Sequence, residues 1–397
     1  MIFGLLFSTC IVFAQPQSRT EMIEAERDRK ASTLQPDTIK SGEGFFQKLK
    51  DRNFLGRTFG SVEGFRVRFG GLMTGSGFAL GPEYERSNLA QSVVFRAGAR
   101  GSLRQFYLLN AGVQFPRLWD NRAFVGLSAT RRYAPQVDYY GSGPESRRID
   151  RSTFTFEDLS ADLTVGLRTH RNWKAGFLGG LQQINVGTGR DIRYISSELK
   201  FTPAQAPGIN RQAHYLFGGG FIQYDYRDNP EGPRNGGNYI AQYRYSNDYR
   251  YSAYTFHRYD MDAQQYLPLF NERRVIALRA RMVLTQEADG HQVPFFLQPT
   301  FGGSEMGRGF RRFRYYDNNL IAFTAEYRWE VFSGLDMAIF TDAGKVFPRT
   351  NRINLRELES AVGFGFRVNA RNNVVMRIDT GFSHEGFQVW FKFNNVF

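Results

Sequence analysis

Five histidines, one cysteine and a glycine-rich stretch are the features of this 397-residue chain that could do covalent, metal or phosphate chemistry. The histidines stand at 170, 214, 257, 291 and 384, with no His-Glu-x-x-His and no spacing that would gather ligands round a metal. The stretch Gly302-Gly303-Ser304-Glu305-Met306-Gly307-Arg308-Gly309 lacks the Lys-Ser/Thr of a phosphate-binding loop. Cys10 lies in a segment expected to be removed, which leaves no thiol for a disulfide, a thiolate ligand or a nucleophile. His291 and His384 could serve a hydrolase at a membrane rim, but a solvated loop histidine is the commoner arrangement. The chain is therefore read as no enzyme, with no cofactor and no metal. What remains is ionic chemistry: 51 Lys and Arg against 38 Asp and Glu, a net charge of +13.

The residues that carry these charges alternate with apolar ones. Phe65, Val67 and Phe69 alternate with Arg66 and Arg68. Ile276, Leu278, Ala280 and Met282 alternate with Arg279 and Arg281, and Phe323, Ala325, Tyr327 and Trp329 with Thr324, Glu326 and Arg328. Side chains on a strand point to opposite faces in turn, so each segment has one apolar and one charged face. A soluble sandwich would alternate too. Here the pattern recurs to the last residue, the apolar faces are rich in aromatic rings, and the polar faces mix arginine with carboxylate. That combination predicts an all-β fold: a transmembrane antiparallel β-barrel with girdles of aromatics and a wet lumen. Backbone groups in lipid must all be paired, so the sheet has to close. A mean hydropathy of −0.43 excludes a helical membrane protein but not this one.

Sixteen strands are expected between residues 62 and 397, the first over 62–71 with Gly70 and Gly71 on it. With the N-terminus in the periplasm, the long links 134–154, 186–211, 286–318 and 345–358 all fall outside, and the turn-like links, such as 228–237, fall inside. Lumen-facing Arg66, Arg68, Arg96, Arg100, Arg244, Arg279, Arg281, Arg377 and Lys392 account for much of the positive charge. They are expected to pair with Glu330, Asp336, Asp379 and loop groups, leaving a slight bias towards anions. Because they lie on inward faces, no nucleic-acid partner is expected. Met1–Ala14 is short, apolar and ends in Val-Phe-Ala, which predicts a signal peptide. Residues 15–61 are charged and poor in apolar surface, a short periplasmic lead-in. Phe387, Val389, Phe391, Phe393 and Phe397 share one face of the last strand, with Phe397 terminal.

Residues 294–310 read PFFLQPTFGGSEMGRGF, residues 323–331 FTAEYRWEV, and residues 340–344 FTDAG. In these segments the chain resembles the BamA/TamA superfamily, also called the bacterial surface antigen family. The matching positions are Gly302, Gly303, Arg308, Gly309 and Phe310 in the sixth extracellular loop, Glu326 and Arg328 on the next strand, then Phe340, Asp342 and Gly344. YDYRDNPEGPRNGG (224–237) resembles the family's Asp-x-Arg-Asp turn and YYGSGPES (139–146) its third outer loop. The C-terminal aromatic strand resembles the signal by which the outer-membrane assembly machinery selects its clients.

The residues themselves support a lock. Glu326 is in phase with Thr324 and Arg328, and Asp342 with Ala338 and Phe340, so both carboxylates point into the lumen from neighbouring strands. A long link folded inward would place Arg308 between them, where a guanidinium bonds carboxylates bidentately. Gly309 would let the loop backbone approach the wall. The competing arrangement is a solvated basic loop of Arg308, Arg311, Arg312 and Arg314. The resemblance implies the lock, residence in the bacterial outer membrane among lipid and lipopolysaccharide, and a part in inserting or translocating proteins. The family's assembly members carry periplasmic POTRA repeats longer than the 15–61 segment, so a separate periplasmic partner protein is expected to deliver clients. The readings that compete with an insertase are a passive channel or scaffold barrel and a rim hydrolase.

Overall fold

The computed structural model describes residues 64–87, 92–270, 273–370 and 373–393. The expected signal peptide, the 15–61 segment and Phe397 lie outside the described residues. Strands follow one another as β1 (Phe65–Phe69), β2 (Ala79–Ser87), β3 (Val94–Ser102), β4 (Tyr107–Leu118), β5 (Ala123–Tyr139) and β6 (Ser152–His170). Next come β7 (Trp173–Thr188), β8 (His214–Asp225), β9 (Gly236–Asp248), β10 (Phe256–Leu269) and β11 (Arg274–Glu287). A two-residue ribbon, β12 (Thr300–Phe301) with β13 (Tyr315–Tyr316), lies within the next link. The wall resumes with β14 (Asn319–Phe332), β15 (Leu335–Phe347), β16 (Glu359–Ala370), β17 (Asn373–Ser383) and β18 (Gly386–Phe393).

Sixteen of these form one antiparallel sheet in sequence order, from β1 through β11 and β14 to β18, curled into a nearly closed barrel. Each neighbour is the next wall strand along the chain, the meander that tight turns between alternating segments produce. The turns 171–172 and 333–334 are two residues long, and Asp120 and Asn121 take positive φ in another. They all lie at the inner end. The long links 140–151, 189–213, 288–318 and 348–358 lie at the outer end, as their parity predicts. Phe65, Phe177, Ile339, Val362, Phe387 and Phe391 stand exposed on the outside of the wall. For a membrane barrel that exposure is the lipid face.

Two features correct the sequence reading. The link placed at 134–154 is shorter, 140–151, because β5 runs on to Tyr139 and β6 starts at Ser152. Pro135 sits in a bulge between Ala134 and Val137 that lets the ladder continue past it. Strands of 16 to 19 residues exceed what a bilayer crossing needs, so β5–β7 rise above the membrane. Their inner faces pack with β8 and the outer links: Tyr139, Phe154, Phe156 and Ile184 form a buried cluster with Tyr215, Ile209, Phe295 and Tyr316. The second correction concerns Gly70 and Gly71, expected on the first strand. Both take positive φ just past its end. Most lumen cations are paired, but seldom with the carboxylates expected. Arg66 and Arg68 share Glu83, Arg279 meets Asp262 at 2.6 Å, Arg281 meets Asp260 at 3.1 Å, and Asp336 takes Arg234.

Candidate functional site: a loop tip held in the barrel wall

The link 288–318 folds into the barrel rather than standing free. Its ribbon pairs Thr300 with Tyr316 and Phe301 with Tyr315, and the tip between them turns on Gly302 and Gly303, whose φ of +109° and +120° no ordinary side chain adopts readily. Phe301, Met306, Phe310 and Tyr315 anchor the tip in an apolar cluster with Val283, Leu320, Ala322, Val346 and Ala361 of the wall. Phe310 is fully buried and packs against Phe301, Tyr315 and His384.

This seating carries Arg308 onto the wall. Its main-chain N–H and its Nε each donate to Asp342 Oδ2 at 2.9 Å, and Nη2 donates to Asp342 Oδ1 at 2.7 Å. Nη1 bonds Glu326 and lies 3.4 Å from Asp379 Oδ2. The guanidinium carbon lies over Phe340, 3.4 Å from the ring centre. The register explains the convergence: Glu326 faces Phe340, Thr324 faces Asp342, and Phe340 faces Gly363 across successive ladders. Thr324 Oγ1 donates to Asp342 Oδ1 at 2.9 Å and fixes the carboxylate plane.

The lock is larger than three residues. Glu326 also accepts from Arg328 at 2.7 Å and from Arg367 at 3.1 Å. Asp379 accepts from Arg367 at 2.5 Å and pairs with Arg377 at 2.9 Å. Four arginines and three carboxylates are thus buried together. Burying any one of these charges alone would be prohibitive, and the mutual pairing is what makes the cluster tolerable. Arg377 donates to the Ser304 carbonyl at 2.6 Å, Ser383 Oγ to the Gly309 carbonyl at 2.9 Å, and Lys392 bonds Glu305. The tip therefore touches β14, β15, β17 and β18.

Small residues allow this approach. A Cβ on Gly309 would lie 2.6 Å from the Phe382 backbone, and one on Gly381 would lie 2.5 Å from the Arg308 carbonyl carbon. Gly344 lies under the Phe301 ring, 2.6 Å from where its own Cβ would stand.

The sequence reading missed three members of the cluster. Arg367, Arg377 and Asp379 were not assigned to it, although all three are in phase on inward faces. Two further clasps were also missed. Arg312 donates to Asp138 at 2.6 Å and to the Gly75 carbonyl at 2.9 Å, and Arg151 shares Asp138 at 3.1 Å. Arg314 reaches Glu385 at 2.6 Å and Ser146 Oγ at 2.9 Å. Arg308, Arg312 and Arg314 are buried, which rules out the solvated basic loop for those three and leaves Arg311 as its partly exposed remnant. The one legible signal was Asp138 itself, a carboxylate set between Val137 and Tyr139 in an apolar run.

On the last strand, Phe387, Val389 and Phe391 point outward and Phe393 packs against Phe69 and Phe78. Trp390 and Lys392 point inward. No ladder joins β18 to β1 among the described residues, and the strand order begins at β1 and ends at β18.

Residues 95–382 match the family model of the Omp85 superfamily domain. No curated protein matches in sequence. Among solved structures, the chain is similar to a Haemophilus ducreyi BamA lacking POTRA domains 1–3, with 12% identity and a TM-score of 0.61 over 92% of this chain and 80% of that one. It is also similar to CdiB from Escherichia coli, with 13% identity and a TM-score of 0.55 over 83% of this chain and 62% of that one. At these identities the likeness is one of fold, and this chain spans less than two thirds of the CdiB chain.

Proposed function

Since the chain belongs to the Omp85 superfamily and is a barrel of the bacterial outer membrane, we propose that it assists the insertion or translocation of proteins there, served by a periplasmic partner protein. The observation that carries this reading is the seam. β1 is five residues long and stops at Gly70. It meets β18 where Phe69 and Phe78 pack round Phe393, rather than along a ladder of described residues. A strand edge facing lipid holds main-chain donors and acceptors that a hydrocarbon solvent cannot satisfy. Where β1 and β18 part, an incoming client strand would meet those groups and be templated by strand addition. The exposed Phe387, Val389 and Phe391 flank that edge with apolar surface. The same outward face is the part of this chain offered to the machinery that inserts it. Lipid and lipopolysaccharide contact the remaining outer wall.

A passive channel fits less well, because the outer mouth is filled by the cluster round Tyr139, Phe295 and Tyr316. The rim hydrolase has no support in the two histidines on which it rested. His291 Nδ1 accepts the Thr255 N–H at 3.2 Å, and His384 stands against Phe310 and Glu359.

The test is a disulfide across the seam. A Cβ on Gly70 would lie 3.4 Å from that of Phe393, close to disulfide geometry. Gly70→Cys with Phe393→Cys, oxidised in liposomes, should stop assembly of an unfolded client barrel, and reduction should restore it. Client assembly that proceeds with the seam closed would refute the reading.

A further inference from the structure

A second cross-barrel contact lies at the opposite end from the long links. The link between β8 and β9, residues 226–235, is the longest at the inner end. It is braced internally: Asp228 Oδ1 accepts the N–H groups of Arg234 and Asn235, each at 3.1 Å, and Asn229 Oδ1 accepts that of Glu231 at 3.1 Å. From there it reaches past β10, β11 and β14 to another part of the wall. Arg234 Nη2 lies 3.0 Å from both oxygens of Asp336 at the start of β15. Asn369 Nδ2 holds the same carboxylate at 2.9 Å. The Glu231 carbonyl accepts the Val374 N–H at 2.9 Å, its carboxylate accepts Asn373 Nδ2, and the Asn229 amide donates to Asn373 Oδ1 at 3.0 Å. Between this chord and the arginine cluster above it lies a cavity of 110 Å³ lined by Arg234, Val275, Arg328, Asp336 and Arg367.

We infer that residues 226–235 form a strap that bars the inner mouth of the barrel beneath the Arg308 cluster and stays shut while clients are handled at the seam. The strap and the lock share a wall, since Arg328 and Arg367 bond Glu326 on one side and line the cavity on the other. They differ in strength. The Arg308 cluster is fully enclosed, whereas Arg234 and Asp336 keep some contact with water, so their pair is screened and the strap opens more readily than the lock. The barrier itself does not depend on the proposed function; only the statement about clients does.

The barrier is tested by chemical access. Val275 is buried against the cavity and becomes the single thiol in Val275→Cys with Cys10→Ser. Reaction of the folded full-length barrel with a water-soluble maleimide should be slow. Arg234→Gln, and separately Asp336→Asn, should each speed it about tenfold while the 288–318 link keeps its protease resistance. Fast labelling without these changes, or a rate that neither change alters, overturns the strap. The route is tested by a staple, Asn229→Cys with Asn373→Cys, oxidised before client is added. Client assembly at the parental rate supports a shut strap, and loss of assembly that returns on reduction overturns it. Failure of the seam disulfide to stop assembly would count against the proposed function and leave the labelling result standing.

Discussion

Trp390 donates its indole N–H to the main-chain carbonyl of Arg308 at 2.7 Å, so the strand that borders the seam is tied to the tip of the inward link. Trp390→Phe keeps an aromatic side chain and removes the donor. It leaves a largely enclosed carbonyl unpaired and should cost about 1–3 kcal/mol. β18 would then hold its position beside β1 less firmly. The Gly70→Cys, Phe393→Cys cross-link should form more slowly in this background, and an identical rate would show that the bond does not position the strand.

Arg308→Ala removes the cation bonded to Asp342 and strands that carboxylate in a buried site, while Glu326 and Asp379 keep Arg328, Arg367 and Arg377. Breaking a buried pair in this way costs about 3–5 kcal/mol. Limited proteolysis of the folded barrel should cut the 288–318 link many times faster than in the parent. Arg308→Lys should rescue little, because an ammonium cannot hold Asp342 bidentately and reach Glu326 at once. Unchanged proteolysis in both variants would remove the lock.

Gly381→Ala leaves every charge in place and asks a purely steric question. Its methyl would lie 2.5 Å from the Arg308 carbonyl carbon, which is main chain and cannot swing aside. The tip should lift, exposing the link to protease as Arg308→Ala does. Wild-type protection in this variant would mean that the tip has slack at the wall.

Asp317, at the foot of the inward link, gives the pH prediction. It is buried, its Oδ1 accepts the Asn318 N–H at 2.8 Å, and its Oδ2 has no protein partner. Burial, with Glu287 nearby, pushes its carboxyl up to about 6. A carboxyl with a folded pKa above its unfolded one stabilises the fold while it holds its proton. That contribution is present in acid and is lost as pH rises through about 6. The link should therefore resist protease better at about pH 5 than at about pH 8, and Asp317→Asn should flatten the difference at the more resistant level. A parental protein equally resistant at both values would contradict the assignment.

The wall was legible because period two is a local signal. Each alternating segment declared its two faces without reference to any other, and Glu326 and Asp342 could be set in the lumen from their own neighbours. The bulge at Pro135 was not legible, because proline there reads as a strand end and only the ladder to β6 shows otherwise. Arg312 and Asp138 stand 174 positions apart, and the strap joins Arg234 to Asp336 across 102. No spacing rule connects such pairs. They meet because the sheet curls, and curvature is a property of the whole wall. Arg367 and Asp379 are the intermediate case: their faces could be read, but their adjacency to Arg308 depends on the strand order.

Gly344, Gly363, Gly365 and Gly381 all face inward on β15–β17, and in each a methyl group would run into a ring, a carboxylate or main chain. At these four positions the strand itself offers no side chain: Phe301 and Arg308 of the inward link cover Gly344 and Gly381, and Phe340, Arg367 and Asp379 of neighbouring wall positions lean across Gly363 and Gly365. A saturation scan of the wall should thus find a patch of four near-forbidden sites, where even alanine is rejected, ringed by lipid-side neighbours such as Val362 and Phe364 that accept most apolar replacements.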